Sequence, residues 1–247
     1  PFGGGSYASR TAILGGSATV RAIDKILEKA MQIAAHVLEA PVDDIAFREG
    51  SFRIVGTDKK VGIQEIARTA YRSDLMPDGM ELGLFETDTF VPSGPTFPNG
   101  CHVVEVEIDP QTGVAEVLNY SVTDDVGTVI NELTLEGQVH GGIGQGVGQA
   151  FSERIVYDES GQLITGSFLD YGMPRAGDMC SFDLDNNPVP TKLNPLGAKG
   201  AGEAGNVGAL AAIMNAVVDA LAPLGIQNLD MPATPENVWR AIQNVEA

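Results

Sequence analysis

Leu193-Asn194-Pro195-Leu196-Gly197-Ala198-Lys199-Gly200-Ala201-Gly202-Glu203-Ala204-Gly205 ends in a literal GxGxxG. In a dinucleotide-binding βαβ unit such a run leaves a buried strand and opens a helix, with an acidic residue about twenty positions on holding the ribose. Here the preceding residues 186–195 hold Pro188, Pro190 and Pro195, and proline lacks the amide that a central strand needs. Downstream, Asp219 falls inside an apolar helical run, not in a strand. The segment reads as a loop opening into a helix over 207–221, apolar on several sides and therefore buried. A doubly wound parallel fold is set aside.

Outward from that loop, the pattern mixes helices with hairpins. Val20, Ile23, Leu27, Ala30, Ala34 and Val37 recur at three- and four-residue steps, which predicts a helix over 18–38 ended by Pro41. Residues 47–55 read as two strands turning at Glu49-Gly50, and 63–71 as a short helix. Residues 91–100 carry three prolines and read as a loop. Val104, Val106 and Ile108 alternate, Asp109-Pro110-Gln111-Thr112-Gly113 turns, and 114–122 returns as the partner strand. A second hairpin is expected at 155–157 and 163–165, with helices at 133–151 and from Thr234-Pro235 to Ile242. The expected class is α+β, with mixed sheets and hairpins packed against helices, in two lobes.

The composition excludes several functions. A formal net charge of −18 argues against a nucleic-acid partner, which needs a basic footprint. The two cysteines, Cys101 and Cys180, form no CxxC, so no iron–sulfur cluster or structural zinc is expected within this chain. The three histidines are too scattered to suggest a metal cage. No GxSxG elbow supports a serine hydrolase using Ser6 or Ser9. No apolar run is read as reaching membrane-spanning length, and the default location is cytoplasmic.

Three glycine-rich segments stand out, at 3–16, 140–149 and 196–205. Glycine lets backbone amides approach a ligand, and a helix N-terminus favours an anion there, so three such segments could converge on one polyanionic ligand. Tight turns or close helix crossings would use the same residues. Glu203, flanked by glycine and alanine where a helix begins, is either an acid favourably placed against the helix dipole or a partly desolvated proton acceptor.

The loop at 193–205 resembles the active-site loop of the molybdenum hydroxylases, the xanthine dehydrogenase, aldehyde oxidase and carbon monoxide dehydrogenase family. Gly5-Ser6-Tyr7-Ala8-Ser9-Arg10, Pro95-Thr96-Phe97-Pro98, the 136–146 segment Glu-Gly-Gln-Val-His-Gly-Gly-Ile-Gly-Gln-Gly and Thr234-Pro235-Glu236-Asn237-Val238-Trp239 agree in order and spacing. The resemblance spans 1–247 and implies the C-terminal half of the molybdopterin-binding subunit, the upstream half being carried elsewhere. A chain beginning at Pro1 with a glycine-rich loop suits a split subunit or fragment, inactive alone.

The resemblance further implies molybdopterin cytosine dinucleotide with molybdenum, and Glu203 as the base acting on the metal-bound oxygen. It implies Gln145 and Gly144, Ala8, Ser9, Arg10 and Thr11, and Lys199, Gly200 and Gly202 as cofactor-binding residues. [2Fe-2S] centres and FAD are expected on partner subunits, the complete complex as a dimer, and the substrate as an aldehyde, purine or N-heterocycle, or carbon monoxide. One departure is Glu132, where relatives often have proline. A scaffold that has lost the cofactor is the alternative, and it would have no use for Glu203, Gln145 and Lys199 together.

Overall fold

Glu49 and Gly50 both take left-handed backbone angles (φ 50° and 71°), the geometry of a tight hairpin turn. They join β1 (Ile45–Arg48) to β2 (Ser51–Ile54) as expected. A third strand, β3 (Lys60–Gly62), pairs antiparallel with β2 and was not anticipated, being only three residues long. The computed structural model describes residues 3–246 and divides into two units, Leu14–Pro92 and the remainder of the chain. The first unit packs this small sheet with α1 (Thr11–Leu38, whose first residues belong to the other unit) and α2 (Ile63–Thr69). Its core is Ile33, Ala34, Phe52 and Ile66, with Phe47 tilted on Phe52 at 4.7 Å between ring centroids. Helix α1 starts seven residues earlier than the periodicity suggested (Thr11 against Ala18), because Gly15 and Gly16 are helical.

The larger unit is built on β4 (Asn99–Ile108) and β5 (Ala115–Asp125), antiparallel with Val104 opposite Tyr120. Their turn is fixed by Asp109, which accepts from Gln111 N and the Thr112 hydroxyl, both at 2.8 Å. Gly113 closes it at φ 73°, and a Cβ there would lie 2.1 Å from the Pro235 carbonyl. A strand absent from the sequence reading, β6 (Phe182–Asn186), adds parallel to β5. The expected second hairpin is corrected: only one bridge, Tyr157 to Leu163, forms there. Its Asp158 turn is made, but Ile155, Tyr157 and Ile164 remain exposed and bury no face that would hold strands together.

Three helices complete this unit: α3 (Glu132–Phe151), α4 (Ala204–Leu221) and α5 (Pro235–Glu246). Asn131 caps α3 by accepting from Thr134 N at 2.9 Å. Three of the six glycines of α3, Gly142, Gly146 and Gly148, are packing residues. A Cβ on Gly142 would stand 2.8 Å from Asn206 N, one on Gly146 2.4 Å from the Ala209 Cβ, and one on Gly205 2.5 Å from the Val139 carbonyl. The middle glycine segment is thus a close crossing of α3 on α4, its amides engaged in the helix and not free for a ligand. Ala209, Ile213, Val217 and Leu221 of α4 join Val139, Ile143 and Val147 of α3 in the core with Tyr120 and Val122.

Two further features differ from the sequence reading. Residues Ala204–Leu224 are, by length and composition, apolar enough to cross a membrane, contrary to expectation; in this fold α4 contributes its Ala209–Ile213–Val217–Leu221 stripe to the core. His102, which carried no reading of its own, has a largely buried side chain, with Nδ1 2.6 Å from the Tyr120 hydroxyl and Nε2 3.8 Å from Asp124. Burial, and then the Asp124 charge, push the Tyr120 hydroxyl's pKa up.

Ile213 is fully buried, so Ile213→Ala should cost about 2–5 kcal/mol through lost contacts and a cavity, read from the urea midpoint. Gly205→Ala should also destabilise, since the added methyl meets α3 backbone, whereas Gly137, with open space around it, should tolerate alanine and gain up to about 1 kcal/mol in helix propensity. Equal effects at the two glycines would contradict the crossing.

Candidate functional site

Three pieces of the larger unit meet at one cavity of about 510 Å³: the turn before α1, the segment joining β5 to α3, and the loop that enters α4. Glu203 stands at its edge, on the residue where α4 begins. Its side chain makes no capping bond to the helix; Oε2 instead accepts from the Ser9 hydroxyl at 2.8 Å. The carboxylate is exposed rather than desolvated, because the cavity is open.

The approach of Ser9 depends on backbone that few residues adopt. Ala8 and Ser9 are both left-handed, at φ 51° and 55°, a conformation that costs free energy in a non-glycine residue and is often kept at functional sites. Opposite them, a Cβ on Gly200 would lie 2.9 Å from the Ser9 carbonyl, and one on Gly202 3.3 Å from its hydroxyl. Glycine is therefore required for close approach at position 200, where a methyl would meet backbone, whereas at 202 the Ser9 side chain would have to give by a few tenths of an ångström. Arg10 stacks its guanidinium over the Tyr7 ring at 3.6 Å, and its Nε is buried without a hydrogen-bond partner. A cationic group with an unused donor, beside strained backbone and a cavity, suits an anionic or polar ligand.

The loop before Glu203 is tightly braced. Asn194 donates to the Ala198 carbonyl at 2.8 Å and accepts from the amides of Leu196 and Ala198. Gly197 turns at φ 68°, and its carbonyl accepts from Thr128 N and Thr191 N. Lys199 donates its backbone N–H to the Val126 carbonyl and its ammonium to Asp125, with 2.5 Å between Nζ and Oδ2. Burial alone would raise the Asp125 carboxyl. The Lys199 ammonium and the amides of Val189 and Gly127 outweigh it and hold the pKa at about 2. This pairing stabilises the fold fully above the ordinary carboxylate range and is lost only as pH falls toward that value.

Of the residues singled out from sequence, Glu203, Ala8, Ser9, Thr11, Lys199 and Gly202 line the cavity. Gly200 packs on Ser9, and Arg10 lies behind Tyr7. Gln145 and Gly144 are not among the lining residues: Gln145 is exposed on α3, and Gly144 faces Met179. The glutamine at the cavity is Gln138, whose Oε1 lies 3.5 Å from where a Gly202 Cβ would be. It precedes Gln145 by two helical turns on the same stripe, about 10 Å away along the axis; that heptad spacing was the available signal. Tyr7, Val126, Thr128, Ile130 and Asn131 also line the cavity and were not singled out as site residues, since the two turns carrying them have no periodicity to read. Among the described residues no cluster of His, Cys, Asp or Glu could hold a metal ion.

Comparison with known proteins gives this geometry a family. The family model described as a molybdopterin cofactor-binding domain matches residues 1–180. The large subunit of nicotine 6-hydroxylase from Paenarthrobacter nicotinovorans is 38% identical over 99% of this chain, which covers 30% of that protein. Carbon monoxide dehydrogenase from Oligotropha carboxidovorans superposes with a TM-score of 0.93 at 36% identity, over 100% of this chain and 30% of that one. Quinoline 2-oxidoreductase from Pseudomonas putida 86 gives 0.91 at 38% identity, over 98% and 31%. The chain spans less than a third of the length of these relatives. With most of its length matched by the family model, this chain belongs to the molybdopterin cofactor-binding domain family.

Proposed function

We propose that the chain is the part of a molybdenum hydroxylase that presents the general base, Glu203, to a molybdenum cofactor. The observation that carries this reading is the Glu203 carboxylate fixed at the cavity edge by the Ser9 hydroxyl. With Oε2 held by Ser9, Oε1 is the atom that takes up a proton, and the carboxylate is oriented before substrate arrives. When bound, the cofactor supplies an activated water-derived oxygen and accepts the electrons released by the substrate.

The residues around the cavity fit such a group. Ala8, Ser9, Arg10 and Thr11 offer a strained turn, a hydroxyl and a partly unsatisfied guanidinium, and Gly200 and Gly202 keep the opposite wall low enough for close approach. Lys199 lines the cavity, with its ammonium engaged by Asp125 and its backbone N–H by the Val126 carbonyl. Gln145 and Gly144 lie outside the cavity, Gln145 exposed on α3 and Gly144 against Met179, and neither is given a part in holding the cofactor. Molybdopterin cytosine dinucleotide is the form proposed, its pyrophosphate suited to backbone amides and Arg10.

The substrate class proposed is an electron-poor carbon of an N-heterocycle or aldehyde. The relatives named for nicotine and quinoline support it, as do the apolar walls of Val126, Ile130 and Tyr7. The remainder of the large subunit, iron–sulfur and flavin subunits and a second copy of the complex are the proposed partners, in the cytoplasm.

In the assembled complex, Glu203→Gln should lower kcat by about a hundredfold or more, the usual contribution of a positioned base, while cofactor content stays unchanged. Unimpaired turnover of the loaded variant would contradict the base assignment.

A further inference from the structure

Glu203 stands at one end of a loop whose other end is tied to a single carboxylate. Asp125, the last residue of β5, collects donors from four separate segments. Its Oδ2 accepts from Lys199 Nζ and, at 3.1 Å, from the Asn99 side chain on β4; its Oδ1 accepts from Gly127 N and Val189 N, each at 2.9 Å. Both side chains of the ion pair are largely buried, with 13% of Lys199 and 15% of Asp125 exposed. Backbone contacts run beside the pair, as Gly127 bridges Ala198 and Lys199 N reaches the Val126 carbonyl.

Between Lys199 and Glu203 lie only three residues, two of them glycines that cannot stiffen the chain themselves. Their course is set at one end by Lys199 and at the other by the Ser9 hydrogen bond and the start of α4. We propose that Asp125 and Lys199 are a positioning pair that holds the loop at 196–203 and so sets where the Glu203 carboxylate stands. This rests on the reading of Glu203 as the base. An ammonium directed instead at an anionic ligand would strand the Asp125 Oδ2 with Asn99 alone, a costly arrangement for a buried charge. The pair therefore belongs to the protein's own scaffold, and neither residue is catalytic.

The test uses the assembled, cofactor-loaded complex with Asp125→Asn, Lys199→Met and Lys199→Arg, alongside Glu203→Gln. Hydrogen exchange should quicken by about tenfold or more at the amides of 198–205 in Asp125→Asn and Lys199→Met, because one anchor of the segment is lost. Protection in α5 should be unchanged, and Lys199→Arg should restore part of the effect. Turnover is measured with nicotine, quinoline and benzaldehyde as probes and a dye as electron acceptor. On whichever probe is turned over, kcat should fall about tenfold or more with KM and molybdenum content preserved, since a small displacement of a base affects the chemical step first. Unaltered exchange at 198–205, or unaltered kcat in a variant whose loop has loosened, would overturn the proposal. If Glu203→Gln keeps full turnover, the base assignment fails, and the exchange result alone still decides whether the pair holds the loop.

Discussion

The crossing of α3 on α4 is the constraint on which the larger unit depends. Gly142, Gly146 and Gly205 bring two helix backbones within a distance that no larger residue permits, and Ala209 fits against Gly146. The contact seals the core between Ile143 and Ile213, both fully buried. It also fixes the first turn of α4 against the middle of α3. Since Glu203 is the residue before that turn, helix packing fixes the downstream end of the segment that carries it before any ligand contact is considered. Glycine serves here through its small size alone, whereas at Gly113 and Gly197 a positive φ is required as well.

The polar structure around the cavity is layered on that packing. Asp125 draws β4, the β5–α3 turn, the segment after β6 and the α4 entry loop together, and the amides it satisfies would otherwise be lost in a half-buried region. On the far side Ser9 can reach Glu203 only because Ala8 and Ser9 accept a left-handed backbone. Strain on one wall and a dense hydrogen-bond network on the other are the expected marks of a preorganised site. Arg10, with its unpaired buried Nε, is where that network is incomplete.

Much of this architecture was legible in the residues, for identifiable reasons. The β4–β5 hairpin and α4 announce themselves through strict period-two and near-continuous apolar runs, and the Glu49-Gly50 turn through its chemistry. Strand β6 did not, because Phe182 and Leu184 give a short alternation after a turn-rich stretch, and its pairing with β5 is parallel and distant in sequence. The start of α1 was hidden by Gly15 and Gly16. At the site, Glu203, Ser9 and Lys199 could be singled out by motif. Asp125 could not, since nothing local marks a carboxylate whose partners come from four segments. Gln138 was passed over for Gln145, two turns away on the same helical stripe, because spacing along a helix does not say which turn faces a cavity.

A domain of this family that retains its carboxylate, its strained turn and its low glycine wall is organised to hold a cofactor, and that is the central claim to test. The most direct measurement is the molybdenum content, with the nucleotide released on acid treatment, of the purified complex containing this chain. Near-stoichiometric molybdenum together with cytidine nucleotide is the predicted result. An intact complex that contains no molybdenum would contradict the account and leave the chain as a scaffold that has kept the fold without the cofactor.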